Sequence, residues 1–184
     1  MQRNSKIISA ALGVFLMLIM SSCGFKPMYG ANSAGGSGLS QVMANIEIDR
    51  IRNMQGRQER LSQLLQNNLI ERISPLSSNQ SPALYLLQAN YDVEEAGYGI
   101  RGDETVTLQN LKLTVVFKLS EINSENVVMD GTARAIVTYD LVQSDFSNMT
   151  ARNTSLSRLS EEVANQIITR IGTFLSENPA GAEQ

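Results

Sequence analysis

Leu111-Lys112-Leu113-Thr114-Val115-Val116-Phe117-Lys118-Leu119 decides the fold together with Met129-Asp130-Gly131-Thr132-Ala133-Arg134-Ala135-Ile136-Val137, which follows the turn residues Asn123-Ser124-Glu125-Asn126. In each run every second residue is apolar or small and most of the others are polar, the period of a strand with one buried face. Asn and Ser in the intervening segment bond their own backbone and favour a reversal, so the two runs form a hairpin of strands over about 105–119 and 127–139. A turn centred near Ser124 places Leu111 across from Val137, Leu113 from Ala135, Val115 from Ala133 and Phe117 from Gly131, large against small throughout. On the opposite face it sets Lys118 across from Asp130 and Thr114 across from Arg134, with Lys112 diagonal to Arg134.

Working outward, Tyr85, Leu87, Ala89, Tyr91 and Val93 form another alternating strand, and Gly97, Gly99 and Gly102 suggest a long connection after it. Ile46, Ile48 and Ile51 mark a short first strand. Leu61, Leu64, Leu65, Leu69 and Ile73 fall on one stripe of a helix over about 58–73, which Ser74-Pro75 ends. Leu156, Leu159, Val163, Ile167, Ile168, Ile171, Phe174 and Leu175 give a second amphipathic helix over about 150–176. The order is β-α-β-β-β-α. Every strand has one apolar face and each helix one apolar stripe, so the expected fold is α+β: a two-layer sandwich of a four-stranded, mainly antiparallel sheet with both helices on one face. The other face, with Gln88, Asn90, Lys112, Thr114, Lys118, Thr132, Arg134 and Thr138, stays in contact with solvent or a partner.

The 184 residues, 42% apolar, suit one modest domain. With no histidine and a single cysteine, Ser-His-Asp and Cys-His chemistry, His or Cys-cluster zinc sites and intrachain disulfides are all excluded. A formal charge of −3 disfavours nucleic acid as a partner. A carboxylate-only hydrolase needs two acids converging in a cleft, whereas the neighbours Glu94-Glu95 point to opposite faces of a strand and Glu161-Glu162 splay apart on a helix. Catalysis, metal and cofactor are therefore not expected.

At the N-terminus, Arg3 and Lys6 precede an apolar run from Ile7 to Met20 that is too short to span a bilayer, which takes roughly 20 residues, and reads as a cleaved leader over 1–22. Met20-Ser21-Ser22-Cys23 resembles a bacterial lipobox, which makes Cys23 the expected lipid attachment site and the lipid anchor the only covalent group. Losing Arg3 and Lys6 with the leader moves the formal charge from −3 to −5. Acyl chains on one N-terminus hold a protein on a membrane without spanning it, and Gly24, where an aspartate would favour retention at the inner membrane, points to the outer one. Residues 23–40, rich in Gly, Ala and Ser, read as the lipidated N-terminus and a flexible tether, 41–178 as a single domain, and 179–184 as a disordered tail.

Cys23-Gly24-Phe25-Lys26-Pro27-Met28-Tyr29-Gly30, Asp130-Gly131-Thr132-Ala133-Arg134-Ala135, Tyr139-Asp140, Ser144-Asp145-Phe146 and the helix containing Gln166-Ile167 and Arg170 together resemble the LptE family of lipopolysaccharide-assembly lipoproteins in its alphaproteobacterial form. Met28 stands where that family usually has Leu, and Asn153-Thr154-Ser155 where it tends to be charged and Ala-rich. The resemblance implies an outer-membrane lipoprotein, anchored on the periplasmic side, that plugs the LptD β-barrel and binds lipopolysaccharide on its way to the surface. The alternative is an adaptor lipoprotein of another envelope transport or assembly complex. Lipopolysaccharide carries phosphates and acidic sugars, for which Arg and Lys beside hydrogen-bond donors are the fitting side chains. Lys112 and Arg134 are the leading candidates, followed by Arg101 in the glycine-rich connection and Lys118, whose charge Asp130 offsets. Arg50, Arg52, Arg57 and Arg60 read as a solvated basic stretch.

Overall fold

In the computed structural model, residues 43–54, 60–73, 82–100 and 106–178 are described. Cys23 with the leader and tether, Arg57, Arg101 and the tail lie outside them. The described residues belong to one unit, Ser37–Gln184. The elements are β1 (Ile46–Ile48), β2 (Arg52–Asn53), α1 (Arg60–Ile73), β3 (Tyr85–Ile100), β4 (Val106–Glu121), β5 (Val127–Asp140) and α2 (Asp145–Glu177).

The β4–β5 hairpin has the expected register, with Leu113 across from Ala135, Phe117 from Gly131, Thr114 from Arg134 and Lys118 from Asp130. Leu111, Leu113, Val115, Phe117 and Leu119 are all buried beneath the helices. β3 pairs antiparallel with β4, and β1 and β2 run parallel to β3 along its other side. Both helices cover the same sheet face. Leu61, Leu65, Leu69 and Ile73 of α1 and Leu159, Val163, Ile167, Ile171 and Leu175 of α2 join the odd-numbered residues of β3 and β4 in one core. The helices are tied side by side where Asn68 Nδ2 donates to Ser160 Oγ at 2.9 Å and Arg72 Nε to Asn165 Oδ1 at 2.6 Å.

Three expectations need correction. The first strand is two short ones, so the sheet has five strands rather than four. Ile46 lies opposite Tyr85 and Ile48 opposite Leu87, whereas Asn53 lies opposite Tyr91, one residue out of step. That extra residue switches the buried parity from even to odd and turns Ile51 wholly into the core.

Gly97 and Gly99 do not open a connection, because β3 runs on to Ile100, held by pairing with Gln109, Leu108 and Val106 of β4. Gly99, at φ +78°, accepts from Thr107 Oγ1 through its carbonyl, and a Cβ there would sit 2.8 Å from that same oxygen, so the strand needs glycine at this point. α2 begins at Asp145, five residues earlier than the apolar stripe indicated. Ser144 caps it by accepting the Ser147 N–H, and Asp145 puts negative charge at the positive helix end.

Candidate functional site

The uncovered sheet face is built from the even-numbered residues of β3, β4 and β5 together with Arg52 of β2. In successive rows, Gln88, Lys118 and Asp130 lie side by side, then Arg52, Asn90, Val116 and Thr132, then Asp92, Thr114 and Arg134, then Glu94, Lys112 and Ile136. Lys112 and Arg134 thus share this face as diagonal neighbours, residues that lie about 7–8 Å apart in such a pairing with their Cβ atoms somewhat closer. They are not equivalent. Lys112 Nζ is held 2.8 Å from Glu94 Oε2, with the lysine side chain only 32% exposed.

Arg134 makes no ion pair among the described residues, and its backbone is fixed from outside by Gln166, whose side chain accepts from the Arg134 N–H at 3.2 Å and donates to its C=O at 3.1 Å. Lys118 faces Asp130 across the hairpin but makes no ion pair among the described residues. Arg50, Arg52 and Arg60 are exposed, and Arg52 adds a further cation to the open face.

Two residues important to the character of this face were not singled out in the sequence. Val116, 44% exposed, and Ile136, 61% exposed, occupy positions of polar parity and flank Arg134, one diagonally across the hairpin and one two residues along β5. A guanidinium between two aliphatic side chains can donate paired hydrogen bonds to a phosphate while its neighbours contact hydrocarbon, a combination suited to an amphiphile.

Glu94 and Glu95 do point to opposite faces. Glu95 turns toward the helices, accepting from Arg152 Nε at 3.0 Å and from the Tyr139 hydroxyl at 3.1 Å. Burial first, and then the bond to Glu95, raise the Tyr139 phenol above its ordinary value of 10.0; burial does the same for Tyr85, with Glu121 adding to it. Both phenols therefore hold their protons more tightly folded than unfolded. Their contribution to stability is complete below pH 10 and is lost as the pH rises through the folded values. Urea midpoints are expected to fall above pH 10, and to fall less in a Tyr85→Phe, Tyr139→Phe double variant. At the acid end, the Gln88 amide, followed by the Arg50 N–H, holds the Asp49 carboxyl below 3.8.

No helix among the described residues is long and apolar enough to cross a membrane. These features define a class: a two-layer α+β domain with one sheet face sealed by a helix pair and the other open. Solved structures of the same fold include a Caulobacter crescentus protein classed as a lipoprotein, with 22% identity, 76% of this chain and 97% of that chain covered and a TM-score of 0.58. Rare lipoprotein B from Shewanella oneidensis has 9% identity, with 71% and 98% covered and a TM-score of 0.51. Lipoprotein B from Nitrosomonas europaea has 12% identity, with 72% and 88% covered and a TM-score of 0.51. The likeness is one of fold. No protein-family model matches the sequence, and no curated protein resembles it in sequence.

Proposed function

We propose that this chain is an outer-membrane lipoprotein, lipidated at Cys23, that assembles with the LptD β-barrel and binds lipopolysaccharide as it is delivered to the cell surface. The observation that carries the lipopolysaccharide reading is Arg134, a cation with no ion pair among the described residues, whose backbone Gln166 fixes and whose side chain Val116 and Ile136 flank on the open sheet face. The segment from Asp130 to Ala135 that resembles the LptE family includes this arginine, and the shared fold with lipoprotein structures agrees with the reading. The lumen of a large outer-membrane barrel is polar, and a domain whose second sheet face mixes charges, amides and hydroxyls suits it.

Within this reading Arg134 is the principal contact, and Lys112, already paired with Glu94, is secondary. Arg134→Glu in the full chain is expected to weaken lipopolysaccharide binding about tenfold or more, since a hydrogen bond to a charged group contributes roughly 1.5–3 kcal/mol. Lys112→Gln should weaken it less. Unchanged binding by Arg134→Glu removes this face as the ligand site. Co-purification from solubilised membranes tests the partner: recovery with a large β-barrel supports the assignment, and recovery with an inner-membrane transporter supports an adaptor role instead.

A further inference from the structure

Among the described residues β5 is the edge strand of the sheet, and its outward backbone groups are those of the even-numbered residues. Leu141 donates its N–H inward to Thr107 of β4, while both backbone groups of Arg134 face away, toward Gln166. Along this edge, α2 closes two places with side chains that imitate a neighbouring strand. Gln166 bonds the N–H and C=O of Arg134, and next to it Arg170 Nη1 donates to the Thr132 C=O at 2.6 Å. At the far end the Asn148 amide does the same for Val142, accepting from its N–H at 2.9 Å and donating to its C=O at 2.8 Å.

The eight steps from Arg134 to Val142 and the eighteen from Asn148 to Gln166 each cover about 27 Å, so strand and helix stay in step from one clamp to the other. Between the clamps, the outward groups of Ile136, Thr138 and Asp140 bond nothing among the described residues, and all three residues are exposed. Two hollows of about 380 and 470 Å³ lie between this window and α2 and meet at Arg158.

We infer that the window from Ile136 to Asp140 is a docking site for an extended segment of a partner polypeptide, added antiparallel to β5 as a further strand. Bare N–H and C=O groups in a row template strand addition, and the two amide clamps show the lane geometry and limit its length. Side-chain preferences follow from the hollows. An added residue opposite Tyr139 points down toward Phe146, 74% exposed, and Tyr139, which suits an apolar side chain. Two residues later, opposite Val137, the added side chain meets Arg158 and Glu162, which suits an amide that can accept from one and donate to the other. A second copy of this chain fits poorly, since its own Gln166 and Asn148 would enter the same lane. The site lies on the sheet edge, apart from the open face, and does not depend on the lipopolysaccharide reading.

The test is amide hydrogen exchange of the full chain with a blocked threonine peptide carrying leucine two positions ahead of glutamine. The peptide is expected to slow exchange at Ile136, Thr138 and Asp140. Methylating the nitrogen of the threonine between leucine and glutamine should abolish this, whereas methylating the leucine nitrogen, which points away from β5, should not. Thr138→Pro removes an N–H that bonds nothing among the described residues, at the loss of the bond between Thr138 Oγ1 and the Tyr98 hydroxyl, and peptide binding is expected to fall roughly five- to tenfold. The methylated peptides decide the matter even if that variant fails to fold. No slowing by the peptide, equal binding of the two methylated forms, or protection of the window that rises with protein concentration alone, as self-association gives, would overturn the inference.

Discussion

Phe117→Ala is expected to lower the unfolding free energy by about 3–5 kcal/mol, toward the upper end of that range, with a fall in Tm of roughly 15 °C. Phe117 is 1% exposed, and its neighbours across β4 are Ala89 on β3 and Gly131 on β5. One ring fills the space that three side chains would ordinarily share. After truncation neither small neighbour can move in, because both sit on paired strands, so the cavity persists and its cost adds to the lost burial. Val116→Ala, one residue along but on the open face, provides the control and should cost under about 1 kcal/mol. Thermal or urea unfolding of the two variants checks the contrast, and equal losses would mean that the hairpin faces are wrongly assigned.

The legibility of the hairpin and the obscurity of other regions have the same physical origin. Between β4 and β5 the chain reverses within a few residues, so turn position and period-2 burial together determine every cross-strand neighbour, from Leu111 beside Val137 to Lys118 beside Asp130. Between β3 and β4 there was no such constraint. The glycines point to a loop from Gly97 onward, so the sequence does not fix the register, nor with it the ion pair between Glu94 and Lys112 that distinguishes Lys112 from Arg134.

The parity switch between Ile48 and Ile51 escaped for a related reason: a single inserted residue leaves no compositional mark, and only pairing with β3 reveals it. The first turns of α2 carry Phe146 and Met149 outward, 74% and 57% exposed, so an apolar stripe pointing at the core could not locate the helix start, whereas the Ser144-Asp145 cap could have. The clamps at Arg134 and Val142 join side chains of α2 to the backbone of β5 and of the residues just beyond its end. Periodicity places residues on faces but says nothing of such bonds.

Gly131→Leu is expected to destabilise the fold by about 1–3 kcal/mol through overpacking. A Cβ at this position would lie 3.0 Å from Phe117 Cζ and 3.2 Å from Cε1, closer than an ordinary contact, and Arg170 Nη1 stands at 3.7 Å. Relief would require the ring to leave the space between Ala89 and Gly131, or β5 to lift from the contact by which Arg170 closes its edge at Thr132. The two substitutions should not add. With Phe117 truncated, the leucine at 131 has a cavity to enter from the neighbouring strand, so Phe117→Ala combined with Gly131→Leu should be less destabilised than the sum of the single variants, by an interaction term in the usual range of about 0.5–3 kcal/mol. Unfolding midpoints of the four proteins measure that term directly. Strict additivity would show that ring and glycine do not share a volume, and the pairing of Phe117 with Gly131, on which the placement of Arg134 three residues further along β5 depends, would have to be redrawn.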